Sequence, residues 1–493
     1  MSRRHIESEM VNMDRNALFI DGQWAAPVSG TSVDLVEAAT EKPLGTAALA
    51  SPGDVDAAVA AARRALAGPW GRMSAAERAD LLDKFGAALK ARGRETAALV
   101  SRENGMPISL SAQVNGLGPA FIVWYYAKLI RELELEEVRP GQRGGRTLVR
   151  REPVGVVAAI TPWNYPQPLA AMKIAPALAA GCTVVLKPPP ETALDAFAFA
   201  EAALEAGLPP GVLNVVPGDR DAGAHLSAHP GVDKVAFTGS TAAGRKIGEV
   251  SGGLLRPATL ELGGKSVSLV AEDADLDLFS RKLLQISLPN NGQTCHACTR
   301  ILAPRSRYDE VVEAVTETVR GLVVGDPLDK ATQIGPLVSA AQRERVLGYV
   351  EEGRRSGARL TAGGGVPADR PSGWYVEPTV FADVDNSSKI AQEEIFGPVL
   401  AVLPYADEDE AVAIANDSEY GLGGTVWTAD EERGIALARR IHTGSIGVNH
   451  YDLDLAAPFG GVKSSGLGRE LGPEGLDAYW ELKSIYLATP GGS

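Results

Sequence analysis

The chain has 493 residues, 45% of them apolar, enough for two or three domains with large cores. Its formal charge of −14 offers no general basic surface to nucleic acid or to an anionic membrane. Three cysteines, Cys182, Cys295 and Cys298, cannot make a disulfide framework, so a reducing, cytoplasmic setting is expected.

In chain order, residues 1–14 are polar and lack the apolar run that a signal peptide needs. Ser74-Ala75-Ala76-Glu77 reads as a capping box that opens a packing helix, with Leu81, Leu82, Phe85 and Leu89 at helical spacing and Gly93 as its stop. Residues 131–138 alternate Glu and Leu; with the turn cluster 140–145 and Thr147-Leu148-Val149 they predict a projecting hairpin. From Gly155 onward, short apolar runs closed by Gly or Pro alternate with Ala/Leu-rich helical segments, the pattern of a parallel α/β sheet. Strands are predicted at 156–160, 183–186, 213–216 and 235–237. In such sheets ligands bind beyond the carboxyl ends of the strands, so Asn164, Lys187 and Ser240 should meet in one crevice. The apolar stretch 169–186 is broken by Lys173, Pro176 and Gly181, which favours burial over a membrane span. After Lys265 a second alternation predicts strands near 267–270, 300–303, 399–403, 425–427 and 446–449, hence a second α/β domain joined at a compact hinge near Gly263. Residues 479–487 read as an edge strand that needs a partner.

Two segments carry chemistry. Cys295 closes the run Asn290-Asn291-Gly292-Gln293-Thr294-Cys295, and Glu261 lies in Leu260-Glu261-Leu262-Gly263-Gly264-Lys265. A lone cysteine is more often a small core residue than a nucleophile. Together with a carboxylate able to activate water, it points to covalent chemistry at a carbonyl. The run from Phe237 to Gly244 has the strand, glycine turn and helix start that can bind phosphate, without the G-x-G-x-x-G spacing.

With Pro162-Trp163-Asn164-Tyr165-Pro166, Phe237-Thr238-Gly239-Ser240, the Glu261 and Cys295 segments, Glu393-Glu394-Ile395-Phe396-Gly397-Pro398 and Pro458-Phe459-Gly460-Gly461 in this order, the chain resembles the aldehyde dehydrogenase superfamily, hydrolytic branch, over nearly its whole length. The resemblance implies a Rossmann-like, parallel-sheet dinucleotide-binding domain (1–129 and 153–263), a second α/β catalytic domain (264–464), and a small β oligomerisation arm with a C-terminal strand (130–152 and 465–493). It implies a homodimer or homotetramer. Cys295 is expected to attack the aldehyde, Asn164 and the Cys295 N–H to hold the oxyanion, and Glu261 to activate the water that hydrolyses the thioester. Lys173 and Glu470 match positions linked to proton relay, against the plain alternative of solvated charges.

Cofactor contacts are expected from Ile160, Thr161, Pro162, Trp163, Lys187, Gly218, Phe237, Gly239, Ser240, Leu262, Glu394 and Phe396. The cofactor is expected to be NAD with NADP tolerated, because Pro190 stands where many NAD-preferring relatives carry Glu, with Glu191 adjacent. The aldehyde pocket is expected from Tyr165, Leu169, Met172, Leu288, Pro289, Thr294, His296, Tyr451, Leu453 and Phe459. Mostly apolar and without arginine, this set favours a medium-sized aliphatic, terpenoid or aromatic aldehyde over a semialdehyde acid or betaine aldehyde. A CoA-acylating enzyme, a non-catalytic relative and a thiol oxidoreductase are the alternatives. Cys295-His296-Ala297-Cys298 is a C-x-x-C without a second pair, so no metal is expected; Cys298 is either a core side chain or a trap for oxidised Cys295.

Overall fold

The computed structural model describes residues 13–488; the polar start of the chain lies outside the described residues up to residue 12. Strands Ala258–Glu261, Lys234–Thr238, Val156–Ile160, Thr183–Lys187 and Leu213–Val215 lie side by side and parallel. Antiparallel strands extend this sheet at both ends, Gly466–Leu467 at one and Leu18–Ile20 with Gln23–Ala25 at the other. The central strands are buried over almost every residue, which is why they read as unbroken apolar runs rather than alternations.

The second sheet has seven strands in the order Arg359–Ala362, Thr379–Ala382, Val399–Tyr405, Arg300–Pro304, Val267–Val270, Gly424–Trp427 and Gly447–Val448, parallel except at the first. The five strands expected here all form. Thr379–Ala382 and Arg359–Ala362 add to them, as Ala258–Glu261 adds to the first sheet; each is four residues long and offers little period to read.

The capping box is present at Ser74 and Glu77, but the helix it opens runs from Ala75 to Asn104 and does not stop at Gly93. A Cβ on Gly93 would lie 2.2 Å from the Gly116 carbonyl oxygen, so this glycine admits a neighbouring backbone instead. The stop is Gly105, at φ 80. Helix Pro166–Ala180 is buried at all fifteen positions, matching its apolar composition, and no helix among the described residues is long and apolar enough to cross a membrane.

The hairpin forms from Glu136–Pro140 and Arg146–Pro153, and Trp480–Leu487 pairs along its second strand in an antiparallel three-stranded sheet. The first residues of the predicted alternation instead end the helix Gly118–Glu132. Residues 465–479 lie outside the arm's sheet, with Gly466–Leu467 in the first sheet and Gly472–Asp477 helical.

Candidate active site

Because the central strands are parallel and in register, their carboxyl ends share one edge: Ile160 pairs with Lys187 and Phe237, and Thr238 with Glu261. The loop after Ile160 is held by side-chain amides. Asn104 Nδ2 donates to the carbonyls of Trp163 (3.1 Å) and Asn164 (3.0 Å), and Asn290 Nδ2 donates to the Asn164 carbonyl (2.9 Å). This fixes Asn164, which is 3% exposed and donates one side-chain N–H to the Gln293 carbonyl at 3.0 Å. Its amide has a second N–H to offer.

The cysteine loop winds through three left-handed residues, Asn290 (φ 50), Asn291 (φ 62) and Gly292 (φ 77). Asparagine tolerates this region, and glycine is required at 292, where a Cβ would meet the Gly397 carbonyl oxygen at 2.1 Å. Asn291 bonds Gly105, Gly335 and Pro336, while Gln293 accepts from Val338 N–H. The loop therefore presents Cys295 from a rigid frame.

Glu261 ends its strand 2% exposed, with neither carboxylate oxygen bonded. The crossing to the second sheet follows at once: a Cβ on Gly264 would meet the Cys295 carbonyl oxygen at 2.3 Å, so Gly264 lets the cysteine loop lie against the glutamate strand. Burial, then the neighbouring Glu470, hold the Glu261 carboxyl well above its ordinary range, with Lys173 and Arg469 opposing. Burial likewise raises the Cys295 thiol, helped by Glu394 and Glu261. Lys173 and Glu470 are not solvated charges; they form a 2.7 Å ion pair at 0% and 2% side-chain exposure, and Lys173 also donates to Thr238 Oγ1.

Cys295 opens onto a cavity of about 620 Å³. Of the expected pocket residues, Tyr165, Leu169, Met172, Pro289, His296, Tyr451, Leu453 and Phe459 line it. Leu288 and Thr294 do not. Leu288 is packed into the core of the second sheet, and the Thr294 hydroxyl is engaged by Pro289 O and Tyr165 Oη. Leu110, Val114, Phe121, Ile122, Leu455 and Leu471 complete the apolar wall, and Lys330, Gln333 and Asp452 are also on the lining. The missed wall comes largely from the π-helical turn Ala112–Leu117 and its flanks, whose wide winding leaves no regular period in the sequence. Cys298 sits fully buried beside Ile286, Ile301 and Val402, as a core side chain.

The cofactor candidates gather along the sheet edge. Thr161 N–H donates to Lys187 O, and Lys187 Nζ to the Gly218 carbonyl at 2.8 Å; burial lowers this lysine to about 8. Ser240 caps helix Thr241–Gly253, and Leu262 packs where a Cβ on Gly244 would stand. Gly239 bonds the Glu261 carbonyl, and a Cβ there would strike the Phe237 ring. From the second lobe, Glu394 Oε1 accepts from Gly264 N–H at 3.0 Å, and Phe396 sets its ring edge-to-face on Trp163 at 5.3 Å. Phe396 holds φ 62, uncommon for a bulky residue. A dinucleotide fits this edge: a helix N-terminus and buried Lys187 follow the carboxyl ends of the first sheet's strands, and Phe396 of the second lobe packs on Trp163.

Asp56, His225 and His229 have metal-ligand spacing elsewhere on the surface. Gly231 N–H donates to His229 Nδ1 at 2.9 Å, which leaves the ring proton on Nε2, facing Asp56 at 3.3 Å. A ligand nitrogen would have to be free of it.

The sequence profile of the aldehyde dehydrogenase family matches residues 24–485. The chain belongs to the aldehyde dehydrogenase family. It is 55% identical to geranial dehydrogenase of Castellaniella defragrans, over 97% of this chain and all of that one. It is 42% identical to 3-succinoylsemialdehyde-pyridine dehydrogenase of a Pseudomonas species, over 96% of this chain and 98% of that one. Among solved structures, aldehyde dehydrogenase of Mycobacterium tuberculosis complexed with NAD+ superposes with a TM-score of 0.95 at 47% identity, covering 98% of this chain and all of that one. A mutant aldehyde dehydrogenase C of Pseudomonas syringae, complexed with NAD+ and octanal, gives 0.93 at 40% identity, covering 97% and 98%. The chain is thus an aldehyde dehydrogenase with an α/β fold of two parallel sheets and an antiparallel arm.

Proposed function

We propose that this aldehyde dehydrogenase oxidises a medium-sized apolar aldehyde, terpenoid first among them, to its carboxylic acid with NAD. The observation that carries the reading is the Cys295 sulfur at the wall of a cavity lined by Leu169, Met172, Leu453 and Phe459, with no arginine on the lining. A carboxylate would find no guanidinium there to hold it by two bonds, and the wall around Cys295 is mainly aliphatic and aromatic carbon, with Lys330 and Asp452 the charged side chains on the lining. The geranial and octanal in the names of two relatives fit such a cavity.

Cys295 attacks the carbonyl carbon as thiolate, and the second Asn164 N–H with the Cys295 backbone N–H takes up the oxyanion. NAD, when bound, accepts the hydride. Glu394, drawn against Gly264, and the Trp163–Phe396 pair hold the nicotinamide end, while Lys187 and Ser240 hold the adenosine and pyrophosphate end. The thioester left on Cys295 is hydrolysed by water that Glu261 deprotonates; both oxygens of that carboxylate are available for it. The Lys173–Glu470 pair beneath Glu261 relays the proton onward. Exposed Glu191 disfavours the 2′-phosphate of NADP. The enzyme works in the cytoplasm as a homodimer or homotetramer built through the arm.

Steady-state rates over an aldehyde panel with NAD+ and NADP+ test this. Terpenoid, octanal-like and aromatic aldehydes should exceed succinic semialdehyde and betaine aldehyde in kcat/KM by about tenfold or more, since stranding a charge in an apolar site costs at least ~1–3 kcal/mol. Added CoA should yield no acyl-CoA. Best turnover of either charged aldehyde overturns the substrate; preference for NADP+ overturns the cofactor.

A further inference from the structure

The surroundings of the Cys295 thiol oppose the ionisation its chemistry needs. Burial disfavours the thiolate, and Glu394 and Glu261 add negative charge. Lys173 is engaged with Glu470 and Lys187 with the Gly218 carbonyl, and Lys265 acts on Glu394. Backbone N–H groups of Cys295 and His296 act in the other direction. Beside them stands one polar side chain in contact with the sulfur: His296 Nδ1, 3.9 Å from Sγ.

Packing holds this ring in place. It packs at steep angles on Tyr451, at 5.5 Å between centroids, and on Phe459, at 5.9 Å, and Tyr451 Oη is itself tied to Ser445 Oγ at 2.6 Å. The titratable groups that act on the pair include Glu261, Glu394, Tyr165, Tyr451 and Cys298, and Lys265, which follows Gly264 at the cysteine loop, acts on Glu394. An imidazole in this setting stays neutral, because burial lowers it to about 4. It is a poor acceptor for the thiol proton, yet it keeps an N–H to give.

We propose that His296 is a catalytic residue that donates its Nδ1–H to the Cys295 thiolate and so enlarges the reactive fraction of the nucleophile. In this step Cys–SH becomes Cys–S⁻, the proton leaves to solvent through the open cavity, and the imidazole remains neutral throughout. The thiolate selects the tautomer with hydrogen on Nδ1. Stabilising a thiolate also blunts it: a midpoint lowered by one unit raises its fraction tenfold, but the attack itself slows about threefold, leaving a net gain of about threefold. The plain alternative is that His296 only walls the aldehyde cavity.

The inference rests on Cys295 being the nucleophile, and thiol alkylation separates the two questions. Iodoacetamide inactivation of the full-length enzyme would be followed from pH 6 to 10 without aldehyde, with the modified residue mapped by mass spectrometry. His296→Phe keeps an aromatic wall without the donor; His296→Leu is a second donor-less variant should the first misfold. His296→Asn places an amide N–H where Nδ1 was. The expected result is a titration midpoint about one unit higher in the Phe and Leu variants, with alkylation about threefold slower at pH 7, and a midpoint near wild type in the Asn variant. KM for the aldehyde should change more in the Asn variant than in the Phe variant. A wild-type profile in His296→Phe, or an Asn variant shifted as far as Phe, overturns the role of His296. Full turnover by Cys295→Ala would instead overturn the nucleophile.

Discussion

The Glu261 strand and the Cys295 loop lie against each other, since a Cβ on Gly264 would meet the Cys295 carbonyl oxygen, yet the two side chains are asked to do separate jobs. Glu261→Gln should leave attack intact and slow deacylation by about 10²-fold or more, the usual scale of a positioned base. Because burial and Glu470 hold its carboxyl above the ordinary range, the base is ionised only at higher pH. Deacylation should therefore fall as pH drops through a midpoint well above 4.5, and the pH profile of single-turnover hydrolysis checks this. Asn164→Ala should cost ~10²–10³ in kcat with KM little changed, as expected for a donor to a transition-state oxyanion. That the Asn164, Glu261 and Cys295 segments meet was legible from the ordered motifs that carry the family resemblance. Thr294 and Leu288 were misjudged because a sequence says which residues neighbour a nucleophile but not which way each one faces.

At the scale of elements, Gly93 and the Lys173–Glu470 pair show what a linear reading misses. A glycine inside an apolar helical pattern reads as a stop until the Gly116 carbonyl is seen against it. Gly93→Ala gains at most ~1 kcal/mol in helix propensity, and a Cβ held 2.2 Å from the Gly116 carbonyl oxygen outweighs that. The variant should melt several degrees lower, as differential scanning fluorimetry would show. Lys173→Met strands the buried Glu470 and should cost ~3–5 kcal/mol, whereas Lys173→Met with Glu470→Leu should recover most of it. The regular strands were readable because both faces are buried, while four-residue strands and the π-helical turn carried too little period to be seen.

At the scale of the whole molecule, the arm and one buried acid pair set the conditions under which the enzyme stands. The arm leaves Leu482 and Tyr486 at 68% and 81% exposure on the strand it contributes. Replacing both with Asp should break the proposed oligomer into a smaller species by light scattering, with each subunit still folded. Glu103 and Asp195 are buried against each other between the long helix and the first lobe; burial raises both carboxyls, Asp195 to about 7. The native state thus holds protons that the unfolded chain releases near pH 4, and stability should fall as pH rises from about 4 to 7. Glu103→Gln should raise Tm at pH 8 and change it little at pH 4.5.

The reaction path itself is tested most directly by intact-protein mass spectrometry of Glu261→Gln quenched after mixing with NAD+ and an apolar aldehyde. The expected result is an acyl adduct on Cys295 that persists, where wild type shows none. No adduct, an adduct on another residue, or hydrolysis at the wild-type rate would contradict the division of labour between Cys295 and Glu261.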